Sequence, residues 1–327
     1  MACYESEMVM ETWNENKMER VADGVEEHDV MIHERKVEPH GTMRDGIAVG
    51  TVQLPEVDVP GFIEYGRIVL DKLPNTRDLG GMPAADGRTI APHRLIRSSA
   101  LHKLTEADAE RLLEWHGLMR VVDLRSELER QASPDDTKLL REVVFYDLPV
   151  ITAEEVGISR SGDLGKDFKA FLDYNAAPAD MMKRMYGRAL LGDDGMRAYG
   201  EFLDLLLQAE QGATLWHCTE GKDRAGLAAV LVEHILGVPD EYVVADYLAT
   251  NFFVRTMAEA MLDTLGRHGI LRDLTTDVDV LFYANTDFLA HGLSLVRYAY
   301  GSLDGYIERA LDFGPDKQRR LREMYLI

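Results

Sequence analysis

The sequence predicts an α/β fold in which a central, mostly parallel sheet is flanked by helices. Three observations carry this. Met119–Arg125 and Ala213–Cys218 are short apolar runs without strict alternation, the pattern of strands buried on both faces. Between and after them lie longer stretches with Leu, Met, Phe and Tyr at three- and four-residue spacing. Strand and helix patterns alternate along the chain, which favours parallel pairing.

The elements follow in order. Residues 1–45 stand apart as an acidic N-terminal extension, with twelve acidic against five basic residues. They read as a solvated arm, with a frayed helix or a docking element as alternatives. The remaining 46–327 form the expected globular domain. Residues 49–62 and 65–70 look β-like, followed by turns at Pro74-Asn75 and Gly80-Gly81 and a hairpin turn at Ala84–Gly87. Thr105, three residues before Asp108, opens a helix that Gly117 stops. Residues 119–125 and 142–150 are expected as buried strands. Residues 166–210 are expected as helix, 213–218 as a strand, 226–236 as a helix ending at Gly237, and the rest as mostly helical.

Composition narrows the function. The 327 residues carry 36 Lys+Arg against 57 Asp+Glu, a formal net charge of −21. That excess argues against nucleic acid, whose phosphates need Lys and Arg, and against anionic membrane surfaces. The two cysteines, Cys3 and Cys218, cannot build a disulfide framework or a cysteine-rich zinc site. Neither a signal peptide nor a long apolar span is seen, so a reducing cytoplasm is the expected compartment, with unconventional secretion the alternative.

The chemistry concentrates in His217-Cys218-Thr219-Glu220-Gly221-Lys222-Asp223-Arg224-Ala225-Gly226. A cysteine lies just past a strand, an arginine follows after five intervening residues, and a helix begins at once. Backbone amides of such a loop converge into an anion nest, and the helix terminus adds positive potential. The same field favours a thiolate. Arg224 offers a planar fork for two phosphate oxygens. Gly221 permits a tight turn, and Gly226 a close backbone approach.

These residues resemble the phosphate loop of cysteine-dependent protein tyrosine phosphatases, in particular the bacterial branch with an HCxxGKDRxG loop, that of the mycobacterial PtpB-type enzymes. Asn75–Gly81 (NTRDLGG), Arg97–Leu101 (RSSAL), Val122–Ser126 (VDLRS) with Glu129, and Tyr300–Ser302 are similar to other segments of that family, so the likeness spans about 65–327. The resemblance implies a tyrosine-phosphatase-like sheet with helical insertions or a lid. It implies metal-independent hydrolysis without a cofactor, in which Cys218 attacks phosphorus and the cysteinyl-phosphate is then hydrolysed. Arg224 and the loop amides, Thr219 through Gly226, would bind the phosphoryl oxygens. Asp223 is the first choice for proton donor and Asp123 the second, the alternative for Asp123 being a structural partner of an arginine. His217 would order the loop. Lys222 would lie near the phosphate or near a second anionic group, or else be a solvated charge. Glu220 would point outward or repel polyphosphorylated substrates. Ala225 stands where the family has Thr or Ser, which implies slower release of the thiolate. Arg77, Asp78, Arg97 and Arg125 are expected to form a structural ion network behind the site, with direct substrate contact as the alternative. Met181, Met182, Met185, Met257 and Met261 are expected as core packing or as a lid. The expected substrate is a phosphorylated protein or a small phosphoester. The alternatives are a phosphoinositide or inositol-phosphate phosphatase and a phospho-binding pseudophosphatase.

Overall fold

The computed structural model describes residues 51–57, 65–151, 178–267 and 279–327, and the backbone alone of 31–32 and 35–36; the side chains of 257, 261, 264, 265 and 279 fall outside it. The chain divides into two compact units, Met1–Gly50 and Thr51–Ile327. In the first, Met31–Ile32 pairs antiparallel with Arg35–Lys36. The rest of the acidic arm, Cys3 included, lies outside the described residues.

The second unit is built on a five-stranded sheet. Its strands are β1 (Arg77–Asp78), β2 (Leu95–Ser98), β3 (Leu118–Asp123), β4 (Val144–Asp147) and β5 (Ala213–His217), ordered β1-β2-β5-β3-β4. Only β1 runs antiparallel to its neighbour. The central β5 is buried at every residue because helices cover both faces, which is why it reads as an unbroken apolar run. Ser98 of β2 and Asp123 of β3 both pair with His217, so three parallel strands end level where the loop begins. That is the position at which open parallel sheets bind ligands.

Local chemistry accounts for the helix ends. Thr105 and Asp108 form a capping box for α1 (Glu106–Glu110), which continues as a π-helical turn, Arg111–Trp115. Gly117, at φ +60°, then reverses the chain into β3. Ser126 and Glu129 form a second capping box, on α2 (Glu127–Ala132). The remaining helices are α3 (Pro178–Leu191), α4 (Asp193–Gln208), α5 (Arg224–Leu236), α6 (Asp240–Arg267), α7 (Thr286–Tyr300), α8 (Leu303–Arg309) and α9 (Pro315–Tyr325). Almost all of α5 is buried, and it ends as expected on the left-handed Gly237. One core layer gathers Ile68, Leu101, Leu112, Val121 and Leu215. Among the described residues no helix is long and apolar enough to cross a membrane.

Two expectations need correction. Residues 51–57 are irregular, and 65–70 contribute only an isolated bridge between Arg67 and Arg77; residues 58–64 are outside the description. Pro55 supplies no ladder donor. Secondly, β4 is parallel as expected but lies at the sheet edge, with Val144 exposed. The helical stretch expected at 166–210 is helical from Pro178 to Gln208 apart from a break at Gly192, and residues 166–177 lie outside the described residues. Of the methionines, Met182 is buried on α3, Met181 and Met185 are half-buried, and the side chains of Met257 and Met261 are not described.

Candidate active site

The loop Cys218–Asp223 joins the end of β5 to the start of α5, and Trp216 Nε1 donates to the Ala225 carbonyl (3.0 Å) to clamp strand to helix. Gly221 is at φ +69°, and a Cβ there would lie 2.5 Å from the Ser98 carbonyl oxygen, so only glycine fits. A Cβ on Gly226 would meet Arg97 Nη2 at 3.2 Å.

The loop's carbonyls are held by the scaffold. Thr219 O accepts from the Ala100 amide (3.2 Å), Glu220 O from Asn75 Nδ2 (2.8 Å) and Gly221 O from Arg97 Nη2 (2.8 Å). The Lys222 carbonyl turns back to the Gly226 amide (3.1 Å). In a planar trans peptide the C=O and the following N–H point opposite ways. Tethering these carbonyls therefore turns the amides of Glu220, Gly221, Lys222 and Asp223 away from the scaffold. The result is a row of donors of the kind that binds anions. Cys218, a free and buried thiol, sits at the head of this row.

Arg224 is fixed by Glu129. Its Nη1 and Nη2 donate to the two carboxylate oxygens at 2.6 and 2.7 Å. Thr219 Oγ1 also donates to Glu129, whose remaining contacts are the amide and hydroxyl of Ser126. Burial by itself would raise the Glu129 pKa, but the Arg224 hydrogen bonds and charge, with Thr219, hold it far below the usual carboxylate range. Arg224 is correspondingly pushed up: burial opposes its charge, while Glu129 and the nearby Cys218 favour it. The Glu129 pair uses the end of the guanidinium and Nη2 also reaches Thr219 Oγ1 (3.3 Å), while Nε donates to nothing among the described residues and is left for an oxyanion.

Asp223 meets two tyrosines. Tyr186 OH donates to its Oδ1 (2.8 Å) and lies 2.6 Å from Tyr247 OH, which in turn reaches the Asn285 carbonyl (3.1 Å). Burial and the Asp223 charge push the Tyr186 phenol well up, so it stays a proton donor. Asp223 Oδ2 faces Lys222 Nζ at 3.5 Å. Lys222 itself is buried, with Nζ donating to Leu281 O (2.8 Å), and so is no solvated loop charge. Glu220 is half-buried.

Behind the loop lie two ion clusters where the sequence suggested one. In the first, Asp246 of α6 receives both Arg77 (Nε, 3.1 Å) and Arg97. Burial together with Asp246 pushes the neighbouring Glu233 well up, so that carboxyl holds its proton. In the second, Arg125 grips Asp123 through Nε and Nη2 and also reaches Asp135 (3.0 Å). His217 Nε2 lies 3.0 Å from Asp135 Oδ2, and Nδ1 3.2 Å from the Cys218 carbonyl. Burial would lower the His217 pKa, but Asp123 and Asp135 outweigh it and raise it. Asp123 has both oxygens engaged by Arg125, which leaves it no free oxygen to offer a leaving group. Asp78 belongs to neither cluster: its carboxylate accepts from the Gly80 and His93 amides. Asp246, Asp135, Tyr186 and Tyr247 carry no local sequence signal; Glu129 could have been read from its capping box, Ser126-x-x-Glu129.

Comparison with known proteins agrees with this geometry. The pattern of the tyrosine phosphatase family matches residues 68–327. A Cupriavidus necator protein assigned by name to the tyrosine-protein phosphatases is 30% identical over 246 residues, 75% of this chain and 84% of that one. The triple specificity protein phosphatase PtpB of Mycobacterium tuberculosis is 29% identical over 261 residues, 72% of this chain and 91% of that one. A Nostoc commune tyrosine-protein phosphatase is 29% identical over 172 residues, 53% of each chain. The matched region takes in the cysteine loop, Glu129 and both ion clusters, and the chain belongs to the tyrosine phosphatase family.

Proposed function

We propose that this chain hydrolyses phosphotyrosine in proteins through a cysteinyl-phosphate on Cys218. The observation that carries the reading is the row of outward-turned amides between a buried cysteine and an arginine whose Nε has no acceptor among the described residues. In the first step the Cys218 thiolate attacks phosphorus in line, the S–P bond forms and the P–O ester bond breaks. Asp223 delivers its proton to the departing phenolate oxygen. In the second step water attacks phosphorus, the S–P bond breaks, and Asp223 takes the water's proton as phosphate leaves. The loop amides of Glu220, Gly221, Lys222 and Asp223, together with Arg224, stabilise the equatorial oxygens, where charge spreads in the transition state; the Gly226 amide is already taken by the Lys222 carbonyl. His217 orders the Cys218 carbonyl from below. Asp123 serves as Arg125's partner rather than as an acid.

The test is a phosphate-release panel of phosphotyrosine peptide, phosphoserine peptide and phosphoinositide, with Cys218→Ser as control and rapid-quench trapping of the phosphoenzyme. Hydrolysis of the phosphotyrosine peptide with a trapped Cys218 adduct is expected. An active Cys218→Ser chain sinks the nucleophile assignment. The Mycobacterium tuberculosis relative is named for triple specificity, and the other two substrates show whether that breadth extends to this chain.

A further inference from the structure

A second cluster of chemistry lies away from the cysteine loop. Asp78 on β1, His93 in the β1–β2 connection and His116 after the π-helical turn bring one oxygen and two ring nitrogens together, all within 4.8 Å of one another. His93 Nδ1 is 2.9 Å from His116 Nδ1, and Asp78 Oδ2 is 3.6 Å from the first and 4.0 Å from the second. We propose that Asp78, His93 and His116 form a divalent-metal site of the zinc class.

The geometry supports this in several ways. Zinc bonds of 2.0–2.1 Å in a tetrahedral site set neighbouring ligand atoms about 3.3 Å apart. The three observed separations bracket that value, and sub-ångström ring movements bring them to it. The donor set, two imidazoles and one carboxylate, suits zinc better than magnesium or calcium, which prefer oxygen. The carboxylate is already oriented: its Oδ1 accepts from the Gly80 amide (2.8 Å) and its Oδ2 from the His93 amide (2.7 Å). Supporting bonds of this kind orient ligands in metal sites. His93 adopts φ +59°, a left-handed backbone that a residue other than glycine takes up rarely, and with it the ring faces His116 edge-on at 4.7 Å. The side chain of His93 is 53% exposed while Asp78 and His116 are nearly covered, so an ion can enter and solvent can fill the fourth position. The other trio of possible ligands, Asp123, Asp135 and His217, differs: Arg125 already neutralises its carboxylates from within.

The full chain, stripped with chelator, is titrated with Zn²⁺ by calorimetry and with Co²⁺ by visible absorption, beside His93→Gln and His116→Gln. Each variant's metal-free melting temperature shows whether it folds. The wild type is expected to bind in the micromolar range or tighter, to give the intense bands of low-coordinate Co²⁺, and to melt higher with Zn²⁺. Each variant is expected to weaken that binding by at least about tenfold and to lose the Zn²⁺-dependent rise in melting temperature. Because histidines elsewhere are common to all three chains, wild-type-like binding in both folded variants overturns the site, as does absence of binding in the wild type. Should one variant fail to fold, the other decides.

Discussion

Replacing Glu129 by glutamine removes one negative charge from the end of the Arg224 fork and keeps the shape of the side chain. The two partners are only 10% and 11% exposed, so water cannot take over the bond. Breaking a buried pair from one side costs about 3–5 kcal/mol, mostly because the surviving charge is stranded. Here the low end applies, about 3 kcal/mol, since Thr219 Oγ1 lies 3.3 Å from Arg224 Nη2 and remains as an acceptor. That corresponds to roughly a hundredfold change in the unfolding equilibrium, and to a fall in Tm of roughly 6 °C for a chain of this size. Denaturant titration and thermal melts measure it. Activity falls further, by about a hundredfold in kcat/KM, because an arginine freed to rotate no longer presents its side edge. The pH dependence has a definite sign. The folded-state pKa of Glu129 is depressed, so its stabilisation is complete above the unfolded value of about 4.3 and is lost as pH falls below it. Wild type and variant should therefore converge in stability only in acid. A variant with wild-type stability and wild-type kcat/KM at pH 7 would refute the clamp.

Three more perturbations probe the surroundings of the loop. Tyr186→Phe deletes the hydroxyl that holds Asp223 Oδ1; phenyl phosphate turnover should drop about tenfold while dinitrophenyl phosphate, whose leaving group needs no proton, is spared, and equal losses on both would rule out a role in positioning the acid. Asp246→Asn strands Arg77 and Arg97 together, so a loss of about 3–5 kcal/mol in chemical denaturation is expected, and a change under 1 kcal/mol would show that the cluster is not held by charge. Ala225→Ser places a hydroxyl at a fully buried position at the end of the cysteine loop; one hydrogen bond of about 1 kcal/mol from it to the leaving thiolate is expected to raise steady-state turnover roughly fivefold, and a slower variant would count against that contact.

What the sequence disclosed was the part of the structure governed by neighbours. The run Ala213–His217, the glycine-bearing loop and the helix to Gly237 were readable because burial, turn chemistry and capping all act within a few residues. The Thr105 capping box was readable for the same reason. Long-range pairing was not. Asp246 lies 169 positions from Arg77, and Tyr186 37 from Asp223, so no local pattern ties either pair together. The single ion network expected from Arg77, Asp78, Arg97 and Arg125 came from their nearness to one another in family-like segments; the strands separate them, sending Arg125 to Asp135 and Asp78 to the histidines. For Lys222 it is the solvated-charge alternative that falls, and for a long-range reason: Leu281, 59 positions away, supplies a carbonyl over it.

The three carbonyl tethers also decide when the loop loses its freedom. Asn75, Arg97 and the Ala100 amide fix the peptide planes as the chain folds, before any oxyanion arrives. An incoming phosphoryl group then finds donors already in register and has little backbone entropy left to remove, so affinity reflects charge and fit alone. The binding site is in this sense stored in residues that never meet the substrate. A change at Asn75 or Arg97 would surface as slower, weaker capture of every tetrahedral oxyanion, with the nucleophile untouched.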